Sequence, residues 1–244
     1  IISSKKNKKL KNKVVQVKNE INFLNKYASK KRDFTSAKII AVTGSAGKTS
    51  LKNLIKELLE NFGKTLCSPK SYNNRFGVPL SLSQLQRDHK YAVFEVGMSK
   101  SGEINKLSKL IRPHVAIITN VGEAHIENFN SLNGIAAAKG EIINNIEKNG
   151  LLILNRDNKY FNYFSKRAKT KKLTVISFGM NKNSDIYPLN IKKDKIFTKI
   201  YVKINKQVLN FKFKNINIYN VLSSLALLKG LKLNLSKVTK FYSK

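Results

Sequence analysis

The chain has 244 residues, a length that suits one or two domains, and 41% of them are hydrophobic, enough to bury a core and too many for a disordered chain. Its apolar runs ("IIAV", "VAII", "LLIL") fall well short of a membrane span, the single cysteine, Cys67, excludes an internal disulfide, and no zinc-ligand spacing occurs. The formal charge of +33 raises a nucleic-acid or anionic-lipid binder, but the lysines are dispersed and arginine is scarce, which fits compositional drift toward Lys, Asn and Ile better than base readout.

The chain opens at Ile1 without a charged-then-apolar leader, so a cytoplasmic location without membrane insertion is expected. It ends in "KVTKFYSK" without a clear stop, and a fragment at both ends is expected. Residues 3–13, "SSKKNKKLKNK", form a dense basic segment that reads as a solvated connector, with a phosphate-contacting arm as the alternative. Val14, Val17, Ile21, Leu24 and Ala28 recur at three- and four-residue steps and predict an amphipathic helix over 14–32. A short buried strand follows at Lys38–Thr43, then a helix over Lys48–Asn61 with Leu51, Leu54, Ile55, Leu58, Leu59 and Phe62 on one face and Gly63 just beyond its end.

The alternation continues with strands at "KTLCS", "YAVFEVG", "HVAIITN", "LLILN" and "LTVISFG". Between them lie a short helix at "PLSLSQL" and helices over 103–110, 132–146 and "KYFNYFSKRAK". This spacing predicts an α/β fold, a mostly parallel sheet with helices on both faces. From Asp185 to Phe213 the period changes to two ("IFTKIYVKI", "QVLNFKF"), which predicts a small antiparallel hairpin at the sheet edge, and Asn217–Lys229 returns to helix.

The stretch "IIAVTGSAGKTS" runs a buried strand into a Gly-containing turn and then Lys-Thr at a helix start. Glycines allow the tight path by which backbone N–H groups surround an anion, Lys48 adds charge for terminal phosphates, and the Thr49 hydroxyl suits magnesium. The usual phosphate-loop pattern has a glycine five residues before Gly47, where this chain has Val42, so the match is Gly44-Ser45-Ala46-Gly47-Lys48-Thr49, followed by Ser50. The alternative is an ordinary strand-to-helix turn.

Ligands of a parallel sheet gather at the carboxyl ends of its strands. Glu95, Asn120 and, five residues on, His125 fall at such ends. A carboxylate within an apolar strand is costly unless paired or metal-bound. Glu95 is therefore a magnesium-ligand candidate, with a pairing lysine as the alternative. Lys139, in "GIAAAKGEI", reads from the residues alone as an exposed surface lysine on a helix whose alanines permit close approach.

In this order "TGSAGKTS", "YNNRFGVPLSL", "YAVFEVGMSKSGEI", "RPHVAIITNVGEAHIENFNSLNGIAAAKGEI" and "LLILNRDN" closely resemble the Mur ligases. The resemblance runs from about Val14 to about Leu228 and is nearest to the branch that adds D-alanyl-D-alanine to UDP-N-acetylmuramoyl-tripeptide; the shortened phosphate loop is that family's normal form. It implies a P-loop ATPase-like central domain over 36–230, preceded by the end of a UDP-sugar-binding domain and a connecting helix over 1–35 and followed by the start of a C-terminal region over 231–244.

The implied chemistry is ATP-dependent amide formation. ATP phosphorylates the peptide carboxylate, and the D-alanyl-D-alanine amine displaces phosphate from the acyl phosphate. Gly44, Ser45, Ala46, Gly47, Lys48, Thr49 and Ser50 would cradle ATP, Thr49 and Glu95 would hold one Mg2+, and His125 would hold a second. Lys139 matches a lysine that many members carry as a carbamate, and Asn73 and Asn74 sit in the segment used around the UDP-sugar peptide. Asn217 and Asn220 match the asparagines of an adenine-contacting helix start, although Ile216 stands where that motif has histidine. A monomer with no specific nucleic-acid partner is expected. The alternatives are another ligase of the superfamily, adding a different amino acid or a glutamate to folate, and a basic nucleic-acid binder.

Overall fold

A computed structural model describes residues 2–5, 13–124, 126–204, 207–214 and 216–238. Most of the basic segment 3–13, the end of the 231–244 region and His125 lie outside the described residues. Two short parallel strands, β1 (Ile2–Ser3) and β2 (Val15–Gln16), precede helix α1 (Glu20–Asp33). The helix predicted over 14–32 thus starts later, because Val14–Val17 is extended and Asn19 caps α1 by accepting the N–H of Asn22.

The body alternates as expected: β3 (Lys38–Thr43), α2 (Lys48–Glu60), β4 (Thr65–Cys67), α3 (Gly77–Ser83), β5 (Tyr91–Glu95), α4 (Glu103–Ile111), β6 (Val115–Ile118), α5 (Leu132–Gly140), β7 (Leu151–Asn155), α6 (Phe161–Thr170) and β8 (Thr174–Phe178). The helix expected over 132–146 divides, since α5 tightens into a 3-10 segment at Glu141–Asn145. The six strands form one parallel sheet in the order β4-β5-β3-β6-β7-β8.

Successive residues of a strand face opposite ways. Ile39 and Ala41 therefore join a core with α1, α3, α4, α5 and α6, whereas Ile40 and Val42 join a second core with α2 and the last helix, α7 (Ile218–Gly230). On α2, Leu51, Ile55, Leu58 and Leu59 are buried against the sheet, and each contributes roughly 1.5–3 kcal/mol. The period-two region between β8 and α7 is a three-stranded antiparallel sheet of its own, β9 (Pro188–Lys193), β10 (Thr198–Ile204) and β11 (Gln207–Phe213), with β10 central. Its buried residues Ile200, Val202, Phe211 and Phe213 extend the second core. Among the described residues no helix is long and apolar enough to cross a membrane.

Candidate functional site

The strand order reverses at β3, with β5 on one side and β6 on the other. A crevice opens at the carboxyl ends at such a point. Three strand tips meet there: Thr43–Gly44 of β3, Glu95 of β5, and Thr119–Asn120 just after β6.

The turn from β3 to α2 is shaped by glycine twice. A Cβ on Gly44 would lie 1.9 Å from Thr119 Oγ1, and Gly47 starts α2 at φ +79°, in the left-handed region. No side chain caps α2, so its first N–H groups face the crevice. The turn is fixed from beneath by Asn120, whose Oδ1 accepts the N–H of Ser45 at 3.0 Å and of Ala46 at 2.9 Å, and by Thr119 Oγ1, which donates to Ala46 O at 2.8 Å. Lys48 Nζ donates to Gly44 O at 2.9 Å, folding its charge over the turn. Burial pushes this ammonium below the usual lysine range, and the Glu95 charge opposes that shift.

Glu95 is 1% exposed and its carboxylate is held from several sides. Thr49 Oγ1 donates to Oε2 at 2.7 Å, and Asn73 Nδ2 donates to Oε1 at 2.7 Å. Lys52 Nζ stands 3.8 Å from Oε2. Glu95 therefore has the pairing lysine of the alternative reading, and its carboxylate also lies beside Thr49. The carboxylate and hydroxyl are hard oxygen donors suited to magnesium. No group of three or more His, Cys, Asp and Glu gathers among the described residues.

Lys139 is 2% exposed, which overturns its reading as a surface lysine: α5 turns this side chain inward beside small alanines. Desolvation, with the nearby Lys48 charge second, lowers its pKa to about 8. Asn74 Oδ1 accepts the N–H groups of Phe76 and Gly77 and so starts α3, while Asn73 turns toward Glu95.

Between α2 and α7 lies a cavity of about 880 Å³, which Ala46, Gly47 and Ser50 line on the loop side. Asn217 and Asn220 line it from α7, Asn217 as the N-cap that accepts the N–H of Tyr219 at 2.8 Å. Asn220 Oδ1 would stand 3.3 Å from a Cβ on Gly47, so α7 abuts the loop. Leu54, Phe178 and Ile216 supply apolar wall. The structure thus gathers Gly44–Ser50, Glu95, Asn73, Asn217 and Asn220 at one crevice, with Lys139 within electrostatic range of Lys48.

Lys52 escaped the sequence reading. Its signal was a lysine four residues after Lys48 on the helical strip that continues into Ile55 and Leu59. Asn120 was legible as a strand-end polar residue, but its support of the turn depends on the β3–β6 pairing, which periodicity does not reveal.

Among known proteins, the Mur ligase middle domain matches residues 42–228. The UDP-N-acetylmuramoyl-tripeptide--D-alanyl-D-alanine ligase of Buchnera aphidicola is 41% identical over 175 residues, which is 72% of this chain and 38% of that protein. The ligase of the same name from Rickettsia prowazekii is 41% identical over 170 residues, 69% of this chain and 38% of that one. The crystal structure of MurF from Acinetobacter baumannii superimposes with a TM-score of 0.88 at 27% identity, covering 98% of this chain and 52% of that chain. This chain therefore spans well under two thirds of the length of these relatives. With a shortened phosphate loop set at the switch point of a parallel sheet and a family match across 42–228, the chain belongs to the Mur ligase middle domain family.

Proposed function

We propose that the chain is the ATP-binding core of an amide ligase that joins D-alanyl-D-alanine to UDP-N-acetylmuramoyl-tripeptide, a cytoplasmic, monomeric enzyme of peptidoglycan precursor synthesis. The observation that carries this reading is the Thr49 hydroxyl at 2.7 Å from the buried Glu95 carboxylate, directly after a glycine turn that opens an uncapped helix. The relatives' names and the family match support the substrates.

A carboxylate is a poor electrophile, so the peptide carboxylate takes the γ-phosphoryl group of ATP and ADP leaves. The D-alanyl-D-alanine amine then attacks the acyl carbon, and inorganic phosphate leaves as the amide forms. The chain's part is positioning and charge neutralisation. The N–H groups at the start of α2 donate to phosphate oxygens, and Lys48 exchanges Gly44 O for the transferring group. Thr49 and Glu95 would hold the magnesium ion, which supplies neutralisation of phosphate charge. His125 is assigned to a second ion by the family resemblance. The cavity between α2 and α7, with Asn217 and Asn220, takes the nucleoside, and Asn73 and Asn74 mark the approach of the UDP-peptide. Lys139 is our candidate for carbamylation, because a buried amine with a pKa of about 8 keeps an appreciable neutral fraction to react with carbon dioxide.

The test measures phosphate release with ATP, UDP-N-acetylmuramoyl-tripeptide and D-alanyl-D-alanine, in wild type and Lys48→Ala. Release should require all three compounds and fall by about a hundredfold or more in the variant, the scale of losing one charge-stabilising donor. Turnover indifferent to Lys48 would refute the assignment. Polyanion affinity that falls steeply with salt and ignores Lys48 would instead favour the nucleic-acid binder.

A further inference from the structure

Lys52 is fully buried on α2, one turn beyond Lys48. Its ammonium donates to Ser68 O at 2.7 Å and to Lys70 O, and it faces Glu95 Oε2 at 3.8 Å. Two of the ammonium's three donors are taken by these carbonyls, and the carboxylate adds a charge contact. Packing alone does not ask for a lysine here, since Leu51, Leu54 and Ile55 already fill the apolar side of the helix.

The position of its partners suggests what the charge does. Ser68 and Lys70 belong to the turn after β4, and Ser68 Oγ also accepts the N–H of Glu95 at 3.3 Å. Lys70 sits at φ +42°, a left-handed conformation unfavourable for a non-glycine residue, and the carbonyl of that residue is bound by Lys52. Three residues on, Asn73 reaches the other oxygen of Glu95, and its carbonyl accepts the N–H of Gly97 at 2.8 Å. One buried ammonium therefore ties together the helix of the phosphate loop, the tip of β5 and the segment leading to Asn73 and Asn74.

Resting on the nucleotide-site reading above, we propose that Lys52 is a positioning residue: it locks the Glu95 carboxylate and the 68–70 turn against α2, holding Glu95 where a divalent cation carried by a nucleotide meets Thr49. It touches neither nucleotide nor metal, and acts through Glu95.

The experiment titrates the 244-residue chain with a fluorescent ATP analogue, with magnesium and with EDTA, in wild type, Lys52→Met and Lys52→Gln, and records each variant's melting temperature. Methionine keeps the length without the charge, and glutamine keeps an amide donor for the carbonyls. In wild type, magnesium should tighten binding. In both variants the affinity in EDTA should stay near wild type, while the gain from magnesium should shrink about tenfold to a hundredfold, the usual cost of losing a group that orients a metal ligand. An undiminished magnesium gain in either folded variant overturns the proposal. Equal losses with magnesium and with EDTA also overturn it, since they assign Lys52 to the shape of the whole loop. Failure of both variants to fold assigns Lys52 to stability alone and overturns it as well. A wild type with no magnesium gain refutes the nucleotide-site reading itself, an outcome distinct from a wild-type gain that survives in the variants.

Discussion

Two buried lysines lie near the phosphate loop, and their surroundings are opposite. Lys52, on α2, has two backbone carbonyls and the Glu95 carboxylate around its ammonium. Lys139, on α5, meets the positive field of Lys48, and desolvation lowers its pKa to about 8. The first environment surrounds the side chain with oxygen partners, the arrangement of the proposed strut. The second makes the charged form costly and raises the share of neutral amine above that of an ordinary lysine. The same residue type thus sits in two opposite electrostatic settings within one fold, and its neighbours make the difference.

Removing the strut's partner should break the comparison with the largest effect. Glu95→Ala leaves the Lys52 ammonium buried without its carboxylate, and stability in urea should fall by about 3–5 kcal/mol. A loss below about 1 kcal/mol, the range of an exposed pair, would mean that water reaches this ion pair.

Lys139 should respond in the other direction. Between pH 8 and 10.5 the unfolded chain keeps this proton while the folded chain has released it, so wild-type stability should rise with pH across that window. Below pH 8 the full penalty applies, and Lys139→Met should be more stable than wild type by about 3 kcal/mol at pH 7, with the difference vanishing toward pH 10.5. Added bicarbonate sharpens the test. A carbamate removes the buried cation, so bicarbonate should raise the wild-type melting temperature and leave Lys139→Met unchanged. A pH-independent difference between the two proteins would contradict the account of Lys139.

Much of the fold was legible because the local signals were strong. The apolar run into the glycine turn marked β3 and the start of α2, and the change to period two marked the antiparallel strands. The start of α1 was misread because Val14 and Val17 fit a helical step as well as an extended one, and only the cap at Asn19 decides between them. The site was legible where motif and strand end coincide, at Gly44–Thr49 and Glu95. It was opaque where a role depends on tertiary pairing. Lys52 shares a helical strip with Ile55 and Leu59 and Lys139 follows three alanines, but in a chain with charge +33 these local cues do not outweigh the many solvated lysines. Asn120 acquires its hold on Ser45 and Ala46 only once β6 lies beside β3.

The most direct test of the central claim is a crystal structure of the chain with magnesium and a non-hydrolysable ATP analogue. The account predicts terminal phosphates on the N–H groups at the start of α2, Lys48 Nζ released from Gly44 O, and a metal within about 2.1 Å of Thr49 Oγ1 and a Glu95 oxygen, replacing their mutual hydrogen bond. Nucleotide bound away from the Gly44–Thr49 turn, with the Thr49–Glu95 hydrogen bond intact, would contradict it.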